Sequence, residues 1–121
     1  MFGKSRPAHL LKGETAEQQA LVYLQQQGLQ LVCSNFRCKL GELDLVMKEG
    51  EALVIVEVRF RKSEQFGGAL ASITAQKQAR IVAATQHYVI INRLSHMAIR
   101  FDVVALSGAG PINWIKNAFQ T

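Results

Sequence analysis

Residues 41–61 read GELDLVMKEGEALVIVEVRFR, and the fold turns on how this stretch is read. From Gly41 to Lys48 the residues alternate, with Glu42, Asp44 and Val46 on one side and Leu43, Leu45 and Met47 on the other, which is the period of a β-strand. Glu49-Gly50 marks a tight turn. Ala52 to Phe60 is then rich in β-branched residues, with Val54, Val56, Val58 and Phe60 on one face and Leu53, Ile55, Glu57, Arg59 and Arg61 on the other. The two segments predict an antiparallel hairpin. Its second strand begins apolar on both faces, as a covered, central strand does.

Outward from the hairpin the chain alternates helix and strand. Residues 1–8 read as a flexible arm, with Gly3 and Pro7 and no periodicity. Leu10, Ala16, Ala20, Leu21 and Leu24 recur at helical spacing and predict a helix over residues 9–27, with Gly28 where a helix end favours positive φ. Leu29 to Cys33 reads as a short strand. After the hairpin comes a loop containing Phe66, Gly67 and Gly68. Ile73, Lys77, Arg80, Ile81 and Ala84 then predict a helix from Thr74, its N-cap, to Asn92. Ile99 to Leu106 is a further strand, Gly108, Gly110 and Pro111 a turn, and Ile112 to Ile115 a short last strand. The expected architecture is α/β: a mixed β-sheet flanked by helices, built as one domain over residues 9–121.

Composition narrows the function. A chain of 121 residues suits one core. Apolar residues make up 49% and charged residues 19%, a soluble globular balance, and no apolar run approaches the roughly 20 residues that span a bilayer. Cys33 and Cys38 lack zinc-site spacing, and with no secretory signal the expectation is a reduced, cytoplasmic protein. His9, His87 and His96 show no ligand spacing, and no phosphate-binding glycine loop or nucleophile elbow is present. The formal charge of +5 is modest, but Arg59, Arg61 and Lys62 cluster after a strand, and Lys77 and Arg80 lie three apart on one helix face, a patch that would attract a polyanion.

The charges at the end of the second hairpin strand carry the chemistry. A carboxylate there is costly to bury unless a cation or hydrogen bonds compensate. Asp44 on the facing strand can lie near Glu57, and a divalent cation between two such carboxylates removes their repulsion. Mg²⁺ (or Mn²⁺) suits one or two carboxylates plus substrate phosphate, with the main-chain carbonyl of Val58 as a further ligand. Arg59 would point to the same side and contact phosphate. The plain alternative is an exposed Glu-Arg pair contributing about 0–1 kcal/mol; spacing alone does not choose between the two. Glu42 shares the face of Asp44 as a weaker candidate, a ligand or a brace for Arg59 or Arg61. Asp102, beside Arg100, and Trp114 read as structural.

The segments Gly41-Glu-Leu-Asp-Leu-Val46, Val56-Glu-Val-Arg-Phe-Arg61 and Phe66-Gly-Gly68 together resemble the YraN family of bacterial proteins. The resemblance extends to Gly13 with Glu17, to Lys77, to Arg100-Phe-Asp-Val-Val104, to Trp114-Ile115 and to Asn117-Ala-Phe119. It implies a restriction-endonuclease-like fold similar to archaeal-type Holliday-junction resolvases, within the PD-(D/E)xK nucleases. By position it implies that Asp44 and Glu57 are the two metal-binding carboxylates, that Arg59 stands where the motif has Lys, and that Glu17 is the additional acid of resolvase-like members. Two departures stand out: Leu43 replaces the motif's Pro, and Arg59 cannot act as a general base because guanidinium does not deprotonate. Lys62 or Lys77 would have to supply any amine.

The expected function is therefore a Mg²⁺-dependent endonuclease hydrolysing phosphodiester bonds in DNA, with branched or structured DNA as a candidate substrate. Arg59, Arg61, Lys62, Lys77 and Arg80 are the expected nucleic-acid contacts. Two alternatives stay open on the sequence: a non-catalytic nucleic-acid-binding protein that kept the fold, and a protein-interaction factor. The edges of a small mixed sheet also leave a homodimer open.

Overall fold

A computed structural model of the chain describes residues 8–61, 72–108 and 110–120. The elements run α1 (Ala8–Gln26), β1 (Gln30–Cys38), β2 (Gly41–Glu49), β3 (Ala52–Arg61), α2 (Ala75–Ile91), β4 (Ala98–Ser107) and β5 (Asn113–Phe119). The expected arm lies outside the described residues except for Ala8, where α1 begins. The loop around Phe66, Gly67 and Gly68 also lies outside them, as does Lys62.

The five strands form one sheet in the order β1-β2-β3-β4-β5. All neighbours are antiparallel except β3 and β4, which are parallel with Glu57 opposite Val103. Parallel strands need a long crossover, and α2 lies within this one. This is the mixed α/β sheet with flanking helices that the sequence predicts.

The apolar alternation of β3 divides the core in two. Leu53 and Ile55 pack with Ile81, Ala84, Tyr88 and Val89 of α2. Val54 and Val56 pack with Ala16, Ala20 and Leu24 of α1. One helix therefore covers each face, and β3 is buried on both, which explains its nearly continuous apolar run. Helix ends follow their local signals. Gly28 adopts φ +100 just after α1, and Leu29 N–H donates to the carbonyl of Leu24 at 3.1 Å. The Thr74 hydroxyl accepts from Lys77 N–H at 3.1 Å and caps α2. In the two-residue connection between β2 and β3, Gly50 takes φ +58.

Three elements differ from expectation, the last strand among them: β5 runs from Asn113 to Phe119 rather than from Ile112 to Ile115. β1 runs to Cys38 rather than Cys33. Ser34 and Asn35 carry no strand propensity, and Asn35 sits at φ 56, but pairing with β2 from Cys33↔Val46 to Cys38↔Gly41 holds this edge strand in place. A further difference is in β2, where Leu45 and Met47 face α1 and Val46 faces α2 as alternation requires, but Leu43 also joins the α2-side core. The alternation breaks at Asp44, where β2 leaves the β3 ladder.

Candidate functional site

The pairing of β2 with β3 runs from Glu49↔Ala52 to Leu45↔Val56 and stops there. Beyond that point β2 stays paired to β1 as far as Gly41, and β3 stays paired to β4 as far as Arg61. The sheet splits into a notch, and its two lips carry Asp44 and Glu57. The split would leave the Val58 N–H without its ladder acceptor. Asp44 Oδ2 accepts it at 2.9 Å, so the carboxylate substitutes for the lost rung and is oriented by it.

Asp44, Glu57, Val58 and Arg59 line a cleft of about 230 Å³ together with Glu17 of α1, Glu42 of β2 and Lys77 of α2. Four separate elements thus deliver charged side chains to one end of the sheet. Glu57 Oε2 lies 3.0 Å from Arg59 Nη2 and 3.5 Å from Lys77 Nζ. The Glu57 side chain is only 8% exposed, so this is no solvated surface pair. Although Arg59 Nη2 is close to Glu57, it is not aligned for a hydrogen bond, and neither it nor the equally buried Nε has a hydrogen-bond partner. Buried unsatisfied donors are costly, on the order of 1–3 kcal/mol each.

The electrostatics follow from the burial. Glu57 is pushed up to about 7, first by burial and then by the negative charge of Asp44, against the opposing pull of Arg59 and Lys77. Asp44 is also raised, by burial first, although the Val58 N–H, the Glu57 side chain and Arg59 favour its ionised form. The notch therefore retains a proton near neutrality between two adjacent carboxyl groups. A hard divalent cation matches this donor set, since it would replace that proton and remove the repulsion. Among the described residues, no three His, Cys, Asp or Glu groups converge closely enough to hold a metal ion by themselves. Asp44 and Glu57 could together hold only a cation that keeps several of its own waters.

The remaining predicted residues fall as follows. Among the described residues Glu42 makes no ion pair with Arg59; it pairs with Arg37 at 3.4 Å, both well exposed. Arg61 ends β3, and its side chain lies outside the description, as does Lys62. Lys77 and Arg80 line the same groove beside the cleft. The sequence left open which lysine could bring an amine to the acid pair; Lys77 lines the cleft, carried there by the Thr74-capped first turn of α2, while Lys62 lies outside the described residues.

Asp102 lies away from the notch. It is fully buried and accepts from Arg100 Nε and Nη2, Trp114 Nε1 and Asn117 N–H, each at 2.9 Å. Arg100 also donates to Glu49 at 2.8 Å. The network anchors the irregular pairing of β5, where Asn117 takes φ 54, to the centre of the sheet. Trp114 is thus more than packing: its ring also meets Tyr23 edge-on at 6.1 Å.

The fold and this cleft define a class: a small α/β protein whose sheet splits at one end to present an acid pair, Glu57 buried and Asp44 half-buried, flanked by an arginine and a lysine. The chain belongs to the uncharacterised protein family UPF0102, the YraN family, whose sequence profile matches residues 16–106 and so includes every acidic and basic residue of the cleft. A UPF0102 protein of Legionella pneumophila (strain Philadelphia 1) is 53% identical over 111 residues, 90% of this chain and 94% of its own. One from Janthinobacterium sp. (strain Marseille) is 51% identical over 120 residues, covering 98% and 95%. One from Pseudomonas fluorescens (strain Pf0-1) is 47% identical over 116 residues, covering 94% and 97%. No described helix is long and apolar enough to cross a membrane.

Proposed function

We propose that the protein is a metal-dependent endonuclease that hydrolyses phosphodiester bonds in DNA, structured or branched DNA among its candidate substrates. One observation carries the reading: buried Glu57, half-buried Asp44 and the arginine Arg59 line the same small cleft. Asp44 and Glu57, with the main-chain carbonyl of Val58, are the groups that would hold Mg²⁺ or Mn²⁺. Such an ion, when bound, lowers the pKa of a water and offsets charge on a phosphate oxygen.

The protein's own residues do the rest. Arg59 lines the cleft, and its guanidinium charge would offset charge on non-bridging phosphate oxygens. Fixed donors of this kind are worth most where charge develops in the transition state. Lys77 adds a second cation from α2, and so supplies the amine that position 59 does not have. Glu17, on the α1 wall, assists by orienting the attacking water or a second cation. The Val58 N–H locks Asp44 in place, so the acid pair is organised before substrate arrives.

The competing reading is a non-catalytic nucleic-acid-binding protein. It draws on the fact that Glu57 already has two cationic neighbours with which an incoming metal would compete. Purified protein incubated with plasmid, single-stranded and four-way-junction DNA, with Mg²⁺ or Mn²⁺, separates the two. Cleavage of at least one substrate that is lost in Asp44→Asn supports the nuclease. Metal-independent binding with no cleavage of any of them favours the alternative.

A further inference from the structure

The carboxylate cleft opens beside α2 into a larger groove of about 580 Å³, with Glu42 and Lys77 common to both. One wall is the turn from β1 to β2, and the other is the first half of α2. Arg37 comes from the end of β1, Lys39 from the turn, and Lys77 and Arg80 from the helix. Four cations thus face one carboxylate, Glu42, which is paired with Arg37 at 3.4 Å. Among the described residues, Lys39 and Arg80 make no ion pair, and both are exposed.

The groove is firmly built. A Cβ at Gly41 would stand 2.8 Å from the carbonyl oxygen of Arg80, so the turn rests directly on the helix backbone. The width between the walls is set by that contact, which only glycine permits. A fixed groove with cations on both walls, continuous with a cleft suited to one phosphodiester, suits a linear polyanion better than a single small anion.

We infer that this groove is the track for the nucleic-acid backbone on one side of the scissile phosphate, with Arg37 at the end of β1, Lys39 of the β1–β2 turn and Arg80 of α2 as its phosphate contacts. The inference rests on the nuclease reading only in taking nucleic acid as the polyanion. Arg37 and Lys39 hold phosphates beyond the reacting one and read no bases, so they contribute affinity without sequence preference.

The test measures binding of a fluorescein-labelled single strand and duplex by anisotropy across a salt series, in EDTA, with Asp44→Asn as the non-cleaving parent. Lys39→Gln with Arg80→Gln is compared with Lys48→Gln and Arg93→Gln, which remove two exposed cations outside the groove. Melting curves establish that all variants fold. The groove pair is expected to lower the log–log salt slope by about 1.4–1.8 and so to weaken binding about 25- to 60-fold at 0.1 M salt, while the control pair changes little. Equal losses in both pairs, or none in the groove pair, would overturn the groove while leaving the nuclease reading intact. A parent that binds neither DNA, or that binds poly-glutamate as tightly as DNA, would overturn both.

Discussion

Replacing Glu57 by Gln should stabilise the metal-free protein at alkaline pH, although it removes a residue with two ion-pair partners. Glu57 titrates near 7 in the folded chain because of burial and Asp44, against 4.5 for an ordinary glutamate. Between these values the folded chain keeps a proton that the unfolded chain has released, so stability falls as pH rises through this window and levels off above it. At about 1.4 kcal/mol per pH unit, the loss between pH 5 and pH 8 is roughly 2–3 kcal/mol. Glutamine approximates the protonated acid and pays no such penalty. Urea unfolding in EDTA, followed through the fluorescence of Trp114, the chain's single tryptophan, measures it. The two proteins should be within about 1 kcal/mol of each other at pH 5, with the variant ahead by roughly 2–3 kcal/mol at pH 8. The other titrating groups are common to both proteins, so the difference isolates the acid pair. A wild type that keeps its margin over Glu57→Gln from pH 5 to pH 8 would refute the reasoning, since the ion pairs with Arg59 and Lys77 would then outweigh burial and Asp44.

Asp44→Asn should keep the fold, because the amide oxygen still accepts from Val58 N–H, and its melting temperature should no longer rise with Mn²⁺. In the wild type that rise should be larger at pH 8 than at pH 5.5, where protons compete for the acid pair; differential scanning fluorimetry reads both. Asp102→Ala removes a fully buried carboxylate and leaves the donors of Trp114, Asn117 and one side of Arg100 without their acceptor, and should cost about 3–5 kcal/mol in urea unfolding. Gly41→Ala drives a methyl into the Arg80 carbonyl; it should cost about 1–3 kcal/mol and weaken DNA binding by moving the turn off α2.

Much of this was legible in the sequence because local chemistry and tertiary environment agree. β3 could be read as central from apolar residues on both faces, the hairpin from alternation and Gly50, and α2 from its Thr74 cap. Asp44 and Glu57 were legible because the continued hairpin register sets them opposite one another. What was hidden depends on how separate elements meet. The break at Asp44 cannot be read from Leu43, which fits the alternation on paper but turns to the other face once β2 parts from β3. The extension of β1 relies on pairing with β2 rather than on the propensities of Ser34 and Asn35. Lys77 reaches Glu57 because α2 covers the face that Glu57 shares with Leu53 and Ile55, and no spacing along the chain encodes that contact. The requirement for glycine at position 41 likewise comes from a helix backbone some forty residues away.

The most direct test of the acid pair as a metal site is calorimetric titration of Mn²⁺ into the wild type, Asp44→Asn and Glu57→Gln at pH 8. The account predicts saturable binding to the wild type, with proton release that grows as the pH is lowered towards 7, and loss of that binding in each variant. Binding of equal affinity in all three proteins, or none in the wild type, would contradict it.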